Sequence, residues 1–167
     1  MTHSNKRATK ILLTLLFIFG SGTAALASCP DPQPTGGVPL HVLVIGDSIM
    51  WGQGLREEEK FSARVKCWLQ SKINRPVEIH REAHSGAVIT LSTPAPPPFI
   101  SANGEVNLTT PTINEQLDQA IRFYSNLRAE PALILMNGCI NDVGVKNLLA
   151  ASTPLDELRT NARKSCG

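Results

Sequence analysis

The chain has 167 residues, 42% of them hydrophobic and 18% charged. That balance fits one globular domain and excludes a disordered tail, a collagen or a coiled coil. The formal charge of +2 comes from the N-terminus: residues 1–27 hold Lys6, Arg7 and Lys10 and no acid, and the other 13 basic residues face 14 acidic ones. No basic stripe is left to follow a phosphate backbone, so nucleic acid is not an expected partner.

Residues 1–27 read as an export signal. Three basic side chains precede the apolar run Ile11–Phe19, Gly20 to Thr23 break it, and Ala25-Leu26-Ala27 offers small residues to a signal peptidase. The run is about half the roughly 20 residues that a membrane span needs. Leu26-Ala27-Ser28-Cys29 also fits a lipoprotein box. The signal therefore covers 1–27, or 1–28 with Cys29 lipidated, and the only membrane association expected is through that anchor. Export admits disulfides, and four cysteines permit three full pairings.

Residues 28–39 form a linker, with Pro30, Pro32, Pro34, Gly36 and Gly37 close together. From residue 40 to 167 the pattern alternates. Leu40 to Ile45 is a β-branched apolar run read as a strand buried on both faces. Glu57 to Asn74 reads as a helix whose apolar stripe is Phe61, Val65, Trp68, Leu69 and Ile73, with Trp68 in the core. Val77–His80 is a second strand, and the Pro-rich segment 92–110 is a loop. Thr112-Ile113-Asn114-Glu115 forms a capping box that opens a helix with the stripe Ile113, Leu117, Ile121 and Tyr124. Ala132–Met136 is a third buried strand. Thr153-Pro154 opens a last helix, with Leu155, Leu158 and Ala162 on one side. Strands alternating with helices predict an α/β fold with a parallel sheet of order 2-1-3 and right-handed crossovers. The helices after strands one and three then lie on opposite faces, so Cys67 and Cys166 should not be bonded to each other.

Parallel sheets bind ligands beyond the carboxyl ends of their strands. Gly46-Asp47-Ser48-Ile49 with Gly52-x-Gly54 follows the first strand, Ala83-His84-Ser85-Gly86-Ala87 the second, and Asn137-Gly138-Cys139-Ile140-Asn141-Asp142 the third. A serine on a tight turn can attack an ester carbonyl when donors face the developing oxyanion. Backbone N–H groups of Ser48 and Gly86 and the amide of Asn141 are suitable donors.

These three blocks, in this order, resemble the SGNH hydrolases, also called the GDSL esterase/lipase family, over roughly residues 40–165. The resemblance implies a flavodoxin-like sheet, Ser48 as nucleophile, and Ser48, Gly86 and Asn141 around the oxyanion of a small ester. The residues themselves offer no convincing metal site, since His80 to His84 reads HREAH and not H-E-x-x-H, and no cofactor is expected. Two features depart from the family pattern. Cys139 stands where the family's third block has glycine. The family's C-terminal Asp-x-x-His has no counterpart: three residues after Asp31, Asp47, Asp118, Asp142 and Asp156 stand Pro34, Met50, Ile121, Val145 and Arg159. The chain is therefore expected to lack the last strands and the catalytic base, to expose Ala132–Met136 as a sheet edge, and to associate. Without a base it would serve as an inactive or binding module. His84, two residues before Gly86, is the first substitute base to consider; His41 reads as a core or edge residue, and His80-Arg81-Glu82 resembles a zinc-deaminase motif but no Pro-Cys-x-x-Cys follows it. Met50 and Trp51 suit either an acyl pocket or packing. A nucleotide-binding domain is disfavoured, because Glu57 stands where a third glycine belongs.

Overall fold

The computed structural model describes Cys29 and residues 36–91, 97–150 and 152–166. The segment read as an export signal and most of the segment read as a linker lie outside the described residues. Three parallel strands, β1 (Leu40–Ile45), β2 (Val77–Arg81) and β5 (Leu133–Met136), form a sheet of order β2-β1-β5. Val44 stands opposite Arg81 and Ile45 opposite Met136. The protein is thus α/β, with the expected order of its three long strands. Two further strands, β3 (Phe99–Ile100) and β4 (Val106–Asn107), form an antiparallel pair within the segment read as a loop.

Alternate residues of β1 feed two apolar layers. Val42 and Val44 pack with Val77 and Ala83 toward α2 (Phe61–Ile73), which adds Leu69 and Ile73. Leu43 and Ile45 pack with Ile113, Ala120 and Tyr124 of α3 (Ile113–Leu127). The last four side chains of β1, Val42 to Ile45, are at most 2% exposed, which is why these four positions carry no polar residue. Thr112 caps α3 as its sequence predicts: its hydroxyl accepts from the Glu115 amide, and Glu115 Oε2 accepts from the Thr112 amide.

The helix faces differ from the stripes read in the sequence. Residues 57–59 form a separate 3-10 turn, and α2 starts at Phe61. Phe61 and Trp68 are exposed, Trp68 by 60%, while the fully buried positions of α2 are Ser62 and Gln70. Trp68 is therefore a surface residue. Polar groups win the inner face here because Ser62 accepts a hydrogen bond from Arg81 Nη2 at 2.8 Å. In α3 the buried face is Ile113, Gln116, Ala120 and Tyr124, and Leu117 and Ile121 stand outside it. In α6 (Leu155–Cys166) no residue is buried, and Leu155 is exposed.

β5 is not buried on both faces either. Leu133 and Leu135 pack on the α2 side, but Ile134 is 50% and Met136 61% exposed on the α3 side. Ile134 lines an apolar groove of about 590 Å³ with Leu117, Ile121, Tyr124 and Pro131. Among the described residues no strand pairs with the outer edge of β5. An uncharged apolar edge of this kind recruits other chains. The protein should associate at micromolar concentration, and Ile134→Lys with Met136→Lys should return it to monomer in sedimentation velocity. Association that persists in the double variant would place the contact elsewhere.

The cysteines form two disulfides, Cys29–Cys67 with Cα atoms 5.1 Å apart and Cys139–Cys166 at 5.6 Å. Cys67 and Cys166 are thus in different bonds, as expected.

Candidate functional site

All three sequence blocks lie beyond the carboxyl ends of the parallel strands, because β1, β2 and β5 run in one direction. Ser48 is the first residue of α1 (Ser48–Trp51), immediately after β1. Asp47 caps this single turn: its Oδ1 accepts from the Ile49 amide at 2.9 Å. The Ser48 carbonyl accepts from the Gly52 and Gln53 amides, and Gly52 closes the turn at φ +74. The serine therefore sits on a tight, capped corner.

Two residues that sequence reasoning passed over hold this corner. Gln116 is fully buried; its Oε1 accepts from the Gly46 N–H at 2.8 Å and its Nε2 donates to the Gly46 carbonyl at 3.2 Å. Asn137 Nδ2 donates to Asp47 Oδ1 at 2.8 Å, while the Asp47 N–H donates to Asn137 Oδ1. Gly46 has φ +140, and an added Cβ would stand 2.7 Å from the Asn137 carbonyl oxygen. Glycine at 46 is thus required by the close approach of β1's end to β5's end. Asp47 Oδ2 is buried without a hydrogen-bond partner.

Gly86 and Asn141 come together. Both line a cavity of about 410 Å³ with Val88, Phe99, Thr109, Gly144, Val145 and Lys146. Ser48 is not part of that lining. Asn141 lies in α4 (Ile140–Val143), and its Nδ2 donates to the Ala87 carbonyl at 2.8 Å. One amide hydrogen is therefore committed to the loop after β2, and the second remains for another acceptor. Asp142 ties down the same loop: its carboxylate accepts from the Ile89 amide at 3.0 and 3.1 Å. Burial pushes the Asp142 carboxyl above its ordinary value; surrounding amides oppose this, and the charge of Asp47 adds to it.

Met50 packs against the β1–α2 layer. Trp51 belongs to a polar cluster: its Nε1 donates to Glu105 Oε2 at 3.1 Å, and Lys60 Nζ stands 3.7 Å from the ring centroid. Glu105 also accepts from the Gly54 amide and the Ser85 hydroxyl. These donors, the Gly54 amide first, hold the Glu105 carboxyl below its ordinary value against the opposing cost of burial. A depressed acid stabilises the fold above the ordinary glutamate range, and that stability is lost as pH falls through the depressed value. Glu105→Gln should therefore flatten the acid side of a Tm-against-pH curve. An acid limb identical to that of the parent would remove Glu105 from this role.

The histidines are engaged elsewhere. His41 Nδ1 lies 3.5 Å from Glu78, and His80 contacts Glu82 at 2.7 Å and stacks on Phe123. His84 Nε2 lies 2.7 Å from the Pro111 carbonyl and Nδ1 3.2 Å from the Ser85 carbonyl. Both ring nitrogens of His84 thus face acceptors, which suits a strut rather than a proton acceptor. Among the described residues no histidine is hydrogen-bonded to Ser48. Among them, too, no cluster of three His, Cys, Asp or Glu could hold a metal ion, and no helix is long and apolar enough to cross a membrane.

No model of a known protein family matches the chain, and no curated protein matches it.

Proposed function

We propose that the chain carries the nucleophile and oxyanion part of an exported serine ester hydrolase of the SGNH type, built on a flavodoxin-like sheet. The observation that carries this reading is the capped corner that presents Ser48 at the carboxyl end of β1, next in sheet order to the loops that bring Gly86 and Asn141 to one cavity. Ser48 Oγ would attack the carbonyl carbon of a small ester. The N–H groups of Ser48 and Gly86 and the free amide hydrogen of Asn141 would receive the oxyanion. The commitment of the described histidines to other partners favours a second reading, a non-catalytic module that binds an acyl ester.

Labelling with a fluorophosphonate in the presence of concentrated imidazole, which supplies a base from solution, tests the first reading. Ser48 should be modified faster than any other serine, Ser48→Ala should abolish the adduct, and Asn141→Ala should slow its formation by about 100-fold. Labelling no faster at Ser48 than at exposed serines would overturn this reading.

The Cys29–Cys67 bond bears on localisation. Lipidation makes a thioether at the same sulfur, so the two fates of Cys29 exclude one another. We take the disulfide-bonded, secreted form, cleaved after Ala27, as the mature protein. No nucleic acid, metal or cofactor enters this reading.

A further inference from the structure

Cys139 adopts φ +81 and ψ −22 at the N-cap of α4, two residues before Asn141. A Cβ makes this conformation costly, by about 1–3 kcal/mol for a non-glycine residue, and it persists only where the surroundings enforce it. The helix that Cys139 opens cannot enforce it. α4 is a single turn, too short to stand alone, and its first hydrogen bond runs from the Val143 N–H to the Cys139 carbonyl. Yet that turn holds the loop after β2, through Asn141 on the Ala87 carbonyl and Asp142 on the Ile89 amide. The Ile113 amide also holds this loop, by donating to the Val88 carbonyl, so the orientation of residues 86–90 depends in part on the backbone at Cys139. Cys139 is also tied to α6: Cys166 is bonded to it, and α6 packs on α4. Ser165, next to Cys166, lines a cavity of about 220 Å³ with Asn141, Asp142 and Thr90.

We propose that the Cys139–Cys166 disulfide is a positioning device for the candidate site. It holds by a covalent tether a positive-φ turn that glycine would hold unaided, and so fixes Asn141 and, through Asn141 and Asp142, the loop that carries Gly86. Its relevance to catalysis rests on the ester-hydrolase reading; the structural coupling does not. α6 has no buried residue of its own, so the bond also anchors the helix that walls the smaller cavity. Reduction by a dithiol would convert the bond to two thiols while the dithiol becomes a disulfide, and would release the turn.

Hydrogen exchange of the intact protein, followed by mass spectrometry over residues 86–90 and 140–144, tests this without requiring activity. Cys139→Ala with Cys166→Ser should accelerate exchange in both segments by about tenfold, the equivalent of about 1.4 kcal/mol. Cys139→Gly with Cys166→Ser also lacks the bond, but should return exchange to near that of the parent, because glycine accepts φ +81. Cys29→Ser with Cys67→Ser should lower Tm and leave both segments unchanged. If the alanine pair fails to fold, a folded and protected glycine pair carries the same conclusion. The proposal is overturned if the glycine and alanine pairs exchange alike, or if the glycine pair does not fold. Failure of Ser48 labelling with an intact exchange pattern would instead remove the hydrolase reading alone.

Discussion

Gly86→Ala should cost on the order of 4 kcal/mol and lower Tm by about 10–15 °C. Gly86 has φ +93, and a Cβ there would lie 2.7 Å from both the amide nitrogen and the carbonyl oxygen of Leu108. Those atoms are backbone, and the Leu108 N–H is already donated to the Ser85 carbonyl at 2.9 Å. They cannot rotate aside as the end of a long side chain would. Relief would have to come from separating the loop after β2 from β4, which opens the cavity shared with Asn141. Gly104→Ala is the control. Gly104 has φ +84 but open space where its Cβ would go, so only the backbone penalty of about 1 kcal/mol applies. Equal losses of Tm in the two variants would show that the close approach to Leu108 does not matter.

The second large effect is on rate. The chain should hydrolyse p-nitrophenyl acetate at close to the rate of its own Ser48→Ala variant. His80 and His84 contact Glu82 and the Pro111 carbonyl, His41 stands 3.5 Å from Glu78, and a serine hydroxyl without a base is a poor nucleophile. Loss of the triad's histidine can cost on the order of a million-fold in turnover. A Ser48-dependent rate in the ordinary enzymatic range would refute this expectation. In that event His84→Asn becomes the informative variant: a large loss would mean that His84 leaves the Pro111 carbonyl during reaction.

The strands and their order were readable because β1 consists of alternating inward residues for two layers, a pattern of residue type alone. The Thr112 box was readable because capping is local chemistry within four residues. The helix faces were harder to read. Apolar spacing names a candidate stripe, but what covers it is set by distant elements: Trp68 fits the α2 stripe yet stays 60% exposed, whereas Ser62 is buried where Arg81 reaches it. Gln116 was hidden by its polarity. Its spacing from Ile113, Ala120 and Tyr124 carried the signal, since a polar residue on a buried stripe is one that has found partners. The site blocks were legible as motifs, but Asn137 was passed over though it opens the third block. Its role depends on the approach of β1 to β5, a distance between residues 90 apart in sequence.

The Cys29–Cys67 bond spans 38 positions, and the loop it closes contains β1 and the whole corner at Ser48. A protease that cut once between these two cysteines would not release a fragment. The pieces would remain one covalent mass, with β1 still held between β2 and β5, and would part on a gel only after reduction. In a compartment rich in proteases, the Ser48 corner is thereby protected against a single nick.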